Sequence, residues 1–465
     1  MHCGYVTVLK NVRPHPNADR LVLGTCFVNT VCVAKDKYAE GEIGIYFPVD
    51  LQLSMEFCEK NGLLAVYENG VNVSGGYMDP TKRNVKAIKL RGEKSDGLFL
   101  PLACIEYTGV NLDDLNVGDQ ITILNGHEIC RKFIPARPKS PTVAGGAGKH
   151  AKRRARRSIA PVFYEHVDTE QLAYNLDVFK PGDLIEITRK LHGTSARTSH
   201  TKVLKGFKRN LLDMILRREG TPIYDWGTVS GTRRTVLDSF DGGFYGSNEF
   251  RKPYHDFFDG KLLKGETVYY EIVGFTHDGG PIMGVCNNKK LNDKEFVKKY
   301  GETTTFSYGC DPNGTRPNVA EGCVVGCPDK PQSDIYVYRM TMTNEDGEVV
   351  EYTPDQMRHR CMYMGVKTVP VHWYGFIPEN PGSHDDPTIS AGEWVLQKAE
   401  QFYDGEEPID PTHIREGVVI RVINRPTFTA YKHKNFQFKV LEGIIKECAE
   451  APDMEEADGL DEASE

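Results

Sequence analysis

The sequence has no apolar run long enough to cross a membrane, and its N-terminus has no charged segment followed by an apolar one, as a secretory signal requires. Its twelve cysteines are scattered, unlike the dense pattern of a small disulfide-linked secreted domain. These absences predict a soluble cytoplasmic protein with reduced thiols and without a membrane partner. No obligate protein partner is evident from the sequence. With 465 residues and 39% hydrophobic content, the chain is long enough for two or three packed domains.

The chain also lacks the positive net charge that is typical of nucleic-acid-binding proteins, because its formal charge is -8. Residues 447–465, however, hold nine acidic residues and no basic ones, so the remainder carries -8 + 9 = +1. We interpret residues 447–465 as an acidic disordered tail. The overall charge therefore excludes no nucleic-acid partner.

The first 134 residues alternate short β-rich runs with turns. Their spacing indicates a small barrel or sandwich. The runs lie at residues 4–9, 21–28, 44–49, 85–90 and 120–124.

Residues 135–160 are rich in Pro, Gly, Ala and basic residues, which predicts a flexible linker. The basic run from Lys149 to Arg157 favours contact with phosphates. A solvated linker and a nuclear-import signal fit the same run.

Candidate chemistry begins at Lys190, which follows an alternating run and precedes Gly193 by three residues. The alternation over residues 183–187 predicts a half-buried strand with Lys190 at its end. Gly193 would let the backbone come close to the group that Lys190 attacks. A lysine amine becomes a nucleophile where burial or nearby cations lower its pKa. A K-x-x-G tetrapeptide alone is more often a solvated lysine before a turn.

Three later stretches place charges inside predicted strands. Glu271 interrupts one β-rich run and Glu416 opens an aliphatic one. Lys439 lies between apolar residues of a third predicted strand, with Lys432 and Lys434 just upstream. A buried charge in a strand requires a partner or a ligand. Two carboxylates and two lysines at strands suit a site for Mg²⁺ and a triphosphate.

The ordered motifs K-x-x-G, Y-x-E-x-x-G, E-G-V-V-I and F-x-F-K resemble motifs I, III, IV and V of the covalent nucleotidyltransferases, which include ATP-dependent DNA ligases, RNA ligases and mRNA capping enzymes. The stretch from Phe163 to Glu170, followed by Lys190 to Ser195, resembles RNA ligases that seal nicks in duplexes. Residues 15–21 resemble the opening of tRNA-binding OB-like domains, and residues 90–98 resemble a turn in the N-terminal domain of Deinococcus-type RNA ligases.

The resemblance implies an α+β fold in which an N-terminal OB-like β-barrel precedes a nucleotidyltransferase (ATP-grasp-like ligase) domain with antiparallel sheets. The expected domains are an OB-like RNA-docking domain at 1–134, the basic flexible linker at 135–160, an adenylyltransferase domain at 161–446 and the acidic tail at 447–465. A purely structural role for the first domain is the alternative, since fold does not fix function. Only 26 residues follow Lys439, too few for the OB domain that follows motif V in replicative DNA ligases and capping enzymes.

The resemblance also implies ATP-dependent RNA ligation. Lys190 would attack the α-phosphate of ATP to give lysyl-AMP, with Mg²⁺ or Mn²⁺ offsetting charge on the phosphoryl group. The AMP would pass to an RNA 5′-phosphate to give RNA-adenylate, and a 3′-hydroxyl would displace it and seal the nick. The alternatives are a DNA ligase, a capping-type nucleotidyltransferase and a catalytically silent RNA-binding protein.

The roles implied for individual residues cover the nucleotide, the metal and the RNA end. Tyr338 is also read as an ordinary cross-strand aromatic, and His192 as a positioning residue. The implied site is Gly193 at the nucleotide, Glu271 near ribose and metal, Glu416 at the metal, Lys439 at the α-phosphate, Tyr338 stacked on adenine, and Arg233 at the 5′-phosphate with Arg234 as the fallback.

Two positions depart from the family pattern. Arg189 stands where many relatives carry an acidic residue that meets the adenine amino group, and Gln437 stands where many carry the first lysine of motif V. Lys432 or Lys434 could replace that missing charge.

A zinc site at Cys310, Cys323 and Cys327 is a further hypothesis. No fourth ligand is obvious, so buried or loop thiols are favoured.

Overall fold

The computed structural model describes residues 2–68, 71–134, 159–211, 220–237, 239–241, 247–319, 330–382 and 388–447. The basic run of the linker and the acidic tail after Glu447 lie outside the described residues. The chain divides into two units, the first comprising residues 1–135 and 436–447 and the second residues 136–435 and 448–465. The helices are α1 (Met55–Lys60), α2 (Lys252–Phe258), α3 (Lys294–Tyr300), α4 (Pro354–Met364), α5 (Ala391–Glu400) and α6 (Phe436–Glu447).

The first unit is built from short strands, and all five β-rich runs of the sequence contain one. Its two larger sheets are antiparallel, in the orders β11-β5-β1-β12 and β2-β3-β4. The described residues show no closed barrel, so the OB-like barrel stays a prediction. The strands are β1 (Gly4–Val8), β2 (Lys10–Pro14), β3 (Leu21–Cys26), β4 (Asn29–Ala34), β5 (Ile43–Phe47), β6 (Leu51–Leu53), β7 (Ala65–Glu68), β8 (Val71–Gly75), β9 (Ala87–Leu90), β10 (Glu93–Asp96), β11 (Leu98–Pro101), β12 (Gln120–Ile121), β13 (Ile123–Leu124), β14 (His127–Glu128) and β15 (Cys130–Lys132).

The second unit contains two five-stranded sheets. The lysine sheet has the order β16-β27-β26-β17-β25, and the arm sheet has the order β19-β18-β20-β23-β24. All pairs within them are antiparallel except β16 with β27. The predicted α+β class with antiparallel sheets is therefore confirmed. The strands are β16 (Glu170–Gln171), β17 (Leu184–Lys190), β18 (Thr194–Lys208), β19 (Thr221–Gly231), β20 (Glu266–Gly274), β21 (Cys286–Asn287), β22 (Thr303–Thr304), β23 (Ser333–Thr343), β24 (Val349–Glu351), β25 (Val371–Phe376), β26 (Gly417–Val422) and β27 (Thr429–Lys434).

Each of these two sheets buries one face against a helix. In the lysine sheet, Ile187 and Ile420 pack with Val395 of α5, and all three are fully buried. In the arm sheet, Val268 and Val337 share a core with α2 and α4. Burying a side chain of this size contributes about 1.5–3 kcal/mol. These two cores fix the strands that carry the candidate site.

The F-x-F-K stretch, which was predicted to be a strand, is helix α6 and belongs to the first unit. Phe436, Phe438 and Val440 alternate like a strand, but Phe438, Leu441 and Ile444 recur every three residues and are buried together. A three-residue recurrence is closer to the helical period, and here it decides the structure. Within the described residues, no helix combines the length and apolarity that a membrane crossing requires.

Candidate active site

The register of the lysine sheet gathers the charged residues of two predicted motifs. Lys190 of β17 lies opposite Gly417 of β26, and Gly417 lies opposite Lys434 of β27. Glu416 directly precedes Gly417, so its carboxylate reaches both lysines. Its Oε1 lies 2.8 Å from the Nζ of Lys190 and 3.3 Å from the Nζ of Lys434. Only 1% of the Glu416 side chain is exposed. A buried carboxylate thus lies between two amines.

Gly417 is required for this arrangement. Its φ is +150°, and a Cβ there would lie 2.1 Å from the carbonyl oxygen of His433. A larger residue would push β27 away from β26 and so separate Glu416 from Lys434. The glycine of E-G-V-V-I therefore serves strand packing.

Gly193 and Glu271 join the nucleophile loop to the arm sheet. A Cβ at Gly193 would lie 2.3 Å from the carbonyl oxygen of Ile272, so only glycine fits against β20. The amide of Gly193 donates to the Oε1 of Glu271 at 3.1 Å. The close approach that was predicted for Gly193 is therefore made to β20.

Sequence reasoning missed a second support of this loop, Tyr308. The amide of His192 donates to the hydroxyl of Tyr308 at 2.7 Å, and the His192 ring meets Phe306 edge-on at 4.9 Å. Burial, reinforced by the charge of Glu416, raises the pKa of Tyr308 well above its ordinary value, so the phenol stays neutral. These contacts fix the backbone two residues after Lys190, and the positioning role of His192 stays a prediction.

Asp410 holds the segment that carries Tyr308. Its carboxylate accepts hydrogen bonds from the Ser307 hydroxyl, the Gly309 amide at 2.9 Å and the Thr412 hydroxyl at 2.6 Å. Burial alone would raise the pKa of Asp410, but these hydrogen bonds outweigh it and lower the pKa from 3.8 to about 2. Hydrogen bonds to the charged form favour ionisation.

Asp410→Asn is expected to destabilise the second unit by about 2 kcal/mol at pH 7, the equivalent of this pKa shift. Because the pKa is lower in the folded chain, the stabilisation is present above pH 4 and is lost as the pH falls from 4 to about 2. Thermal unfolding of the native chain and the variant at pH 7, 4 and 2.5 measures the difference. A Tm difference that stays constant over this range would contradict the assignment.

Arg189, the first departure from the family pattern, forms a buried ion pair. Its Nη1 donates to the Oε1 of Glu407 at 2.8 Å, and the two side chains are 8% and 0% exposed. Burial lowers the pKa of Arg189 and raises that of Glu407, while their mutual attraction opposes both shifts. Glu407 lies 218 residues from Arg189 along the chain, and no local sequence pattern predicts this ion pair.

Tyr338 lies at a β-bulge between β20 and β23, where Tyr269 pairs with Arg339 and Tyr270 with Val337. Its hydroxyl lies 2.9 Å from the hydroxyl of Ser195, and its ring contacts His166 at a centroid distance of 5.0 Å. Tyr338 thus contacts residues outside its own strand pair, and its stacking on adenine stays a prediction.

His166 lies among cations. Burial and the charges of Arg339, Arg233, Arg197 and Arg421 lower the pKa of His166 well below its ordinary value. The ring is therefore neutral at pH 7, and the surrounding positive charge favours an anionic ligand nearby.

The two arginines chosen for the 5′-phosphate lie together. The guanidinium groups of Arg233 and Arg234 both contact Asp168. Arg197, which is fully buried, donates from Nε to the carbonyl of Thr232 at 3.0 Å and from Nη2 to that of Arg234 at 3.3 Å. Arg197 thereby fixes this turn, a role visible only once the β18–β19 register is known.

Lys439 has a partner within the first unit. Its Nζ donates to the Oδ2 of Asp96 at 2.6 Å, and it shares helix α6 with Gln437. The Nζ of Lys434, by contrast, contacts the carboxylate of Glu416, as the Nζ of Lys190 does. Of the two lysines that could replace the missing motif V charge, Lys434 is thus the one that contacts Glu416.

The zinc hypothesis falls largely outside the described residues, because Cys323 and Cys327 are not among them. Cys310 is buried, and burial raises the pKa of its thiol. Across the described ranges, no group of three or more His, Cys, Asp and Glu side chains is arranged to hold a metal ion. Glu416 and Glu271 carry carboxylate oxygens, the type of ligand that Mg²⁺ and Mn²⁺ prefer, and their role at a metal stays a prediction.

Comparison with solved structures finds similar folds. The fold resembles that of Naegleria gruberi RNA ligase. A lysine-to-alanine mutant of that ligase with ATP and Mn matches with a TM-score of 0.54 and 15% identity, over 94% of this chain and 98% of that chain. The same ligase with PPi gives 0.54 and 15%, and a lysine-to-methionine mutant with AMP and Mn gives 0.52 and 14%, each with the same coverage. At this identity the likeness is one of fold. No protein-family model and no curated protein matches the sequence.

Proposed function

We propose that the chain is an ATP-dependent RNA ligase that seals nicks between a 3′-hydroxyl and a 5′-phosphate through lysyl-AMP and RNA-adenylate. One observation carries the proposal: Lys190, Glu416 and Lys434 meet at one end of the lysine sheet. The fold that contains these three residues resembles the fold of a ligase whose structures contain ATP, AMP and PPi.

The first step needs a neutral amine, an acceptor for its proton and a countercharge. The Nζ of Lys190 forms a bond to the α-phosphorus, the bond from that phosphorus to the bridging oxygen breaks, and pyrophosphate leaves. The Oε1 of Glu416, 2.8 Å from the amine, is within hydrogen-bond distance to accept the proton. Lys434, 3.3 Å from the same carboxylate, would stabilise the charge that develops on the α-phosphate, a role that the sequence motif assigns to Lys439.

Nucleotide and metal would lie around these groups. Gly193 would border the nucleotide, with Tyr338 stacked on adenine and Glu271 near the ribose. Mg²⁺ or Mn²⁺ would be held by Glu416 and Glu271 with phosphate oxygens, and would offset charge on the transferring phosphoryl group.

The RNA end would be held by the turn that Arg197 supports. Arg233 and Arg234 can replace their contacts to Asp168 with contacts to the 5′-phosphate, because guanidinium groups bind phosphate in a bidentate manner. The first unit would act as an OB-like RNA-docking domain, in the domain order of Deinococcus-type RNA ligases.

A strand-joining assay tests the function. Nicked duplexes with a 5′-phosphate are offered with an all-RNA or an all-DNA nicked strand, and with ATP or GTP. We expect joining of the RNA strand with ATP, and none by Lys190→Ala. Joining confined to DNA, or covalent GMP formed from GTP, would replace the proposal with a DNA ligase or a capping-type enzyme.

A further inference from the structure

The hairpin of β18 and β19 continues past the end of β20, the next strand of the arm sheet. Pairing of β18 with β20 ends at Ser199, whereas its pairing with β19 continues to Lys208. The nine residues of β18 beyond Ser199 are about 30 Å long at roughly 3.3 Å per residue. We call residues 200–209 and 221–228 the arm. Neither motif assignment nor the proposed chemistry gives the arm a role.

The arm is basic although the whole chain is acidic. It carries Lys202, Lys205, Lys208 and Arg209 against one carboxylate, Asp225, so its charge is 4 - 1 = +3, compared with -8 for the chain. Extended positive segments of this kind bind nucleic acid by displacing counterions from phosphates.

One face of the arm combines cations with an aromatic ring. Lys202 lies opposite Trp226 in the register, and its Nζ lies 4.8 Å from the centroid of that ring. Lys264, which precedes β20, places its Nζ 5.4 Å from the same centroid. The alternation of the strand puts Tyr224 on this face too. We call Lys202, Lys264, Trp226 and Tyr224 the platform.

The acidic neighbours of the platform are few and exposed. Lys202 lies 3.6 Å from Glu345, whose side chain is 66% exposed, and such surface pairs contribute little stability. Asp259 accepts a hydrogen bond from Thr228 at the base of the arm. A phosphate can therefore replace Glu345 at Lys202 at low cost.

We propose that the platform binds the substrate RNA beside the nick, with Lys202 and Lys264 on phosphates and Trp226 against a base or ribose. Charge complementarity and the aromatic ring favour nucleic acid over an acidic protein, since single-stranded and flanking RNA is held by cations and stacking rings together. The arm also continues through β19 into the turn of Arg233, the residue proposed for the 5′-phosphate. The inference rests on the proposed ligase function and adds an RNA contact site to it.

The same arm offers a matched control. Lys205 lies against Gly227 on the opposite face, where a Cβ would be 3.0 Å from its Nζ. After the register shift between Leu204 and Gly206, Lys208 pairs with Thr221, which alternation places on the same face as Gly227. Lys205→Ala/Lys208→Ala therefore removes the same charge as Lys202→Ala/Lys264→Ala but leaves the platform intact.

Binding of a fluorescent nicked RNA duplex is measured by anisotropy at KCl concentrations from about 0.05 to 0.3 M, a range over which counterion release changes the affinity strongly. Formation of lysyl-AMP is measured in parallel. Lys202→Ala/Lys264→Ala should weaken binding by about tenfold or more and reduce the slope of log K against log salt by about 2. Trp226→Ala should weaken binding about tenfold with the slope unchanged. The control pair should bind more tightly than the platform pair, and all variants should form lysyl-AMP like the native chain.

Equal losses for the two pairs would show a general charge effect and overturn the platform, as would native-like binding by Lys202→Ala/Lys264→Ala. Polyglutamate that competes with RNA for the native chain but not for the platform pair would identify an acidic protein as the partner, and would also overturn it. Absence of lysyl-AMP in the native chain is a separate result, because it removes the ligase function and not the arm alone.

Discussion

Lys190→Ala is expected to lose joining of a 5′-phosphate RNA with ATP by about 10³-fold or more, because the substitution removes the amine that forms the covalent intermediate. The same variant should still seal RNA that already carries a 5′-adenylate. In that last step the 3′-oxygen attacks the phosphoanhydride and AMP leaves, so no bond to lysine is made or broken. Glu416 and Lys434 remain in place for it.

Three substrates separate the outcomes of this prediction: 5′-phosphate RNA with ATP, 5′-adenylated RNA without ATP, and 5′-hydroxyl RNA as a blank. Glu416→Gln is the comparison variant, and it should lower joining of the first two substrates together because its carboxylate contacts both amines. Joining of 5′-phosphate RNA by Lys190→Ala would assign the nucleophile to another residue. Failure of a folded Lys190→Ala chain on 5′-adenylated RNA would give Lys190 a role beyond the covalent bond.

Lys434→Met is expected to slow lysyl-AMP formation by about 10²–10³-fold, the cost of removing one preorganised charge from a developing oxyanion. Lys190, Gly417 and Lys434 lie side by side on three neighbouring strands. The Lys434 amine therefore contacts Glu416, the carboxylate that Lys190 also contacts. Methionine keeps most of the length and apolar volume of the side chain. The measurement is the single-turnover rate of label transfer from ATP to the protein.

Lys439→Met is the matched control for Lys434→Met, because the sequence motif assigns the α-phosphate contact to Lys439. Lys439 donates to Asp96 within the first unit, and we expect its replacement to leave the rate of lysyl-AMP formation little changed. The opposite pattern, a slow Lys439 variant and a native-like Lys434 variant, would restore the assignment made from the motif.

The elements that the sequence predicted well have local signals. The alternation before Lys190 predicted a strand that ends at this residue, and β17 does end there. The β-rich runs around Glu271 and after Glu416 are strands β20 and β26. In each of them, the run of β-branched, aliphatic and aromatic neighbours is itself the signal for a strand, and β20 and β26 are buried along almost their whole length.

The parts that the sequence missed depend on contacts between distant residues. Tyr308 reaches His192 across 116 residues, and Glu407 reaches Arg189 across 218. Lys434 could be preferred to Lys432 only after the register of β26 and β27 was known. The helix at Phe436 was missed because its apolar residues satisfy both periods over a short run, and packing in the first unit selects the helical one.

The proposed ligase forms its first covalent bond at Lys190. The most direct test is the intact mass of the native chain after incubation with ATP and Mg²⁺, followed by peptide mapping of any adduct. We predict the gain of one AMP on the peptide that contains Lys190, and no gain for Lys190→Ala. A folded, nucleotide-free chain that gains no mass with ATP, or gains it at another residue, would contradict the account.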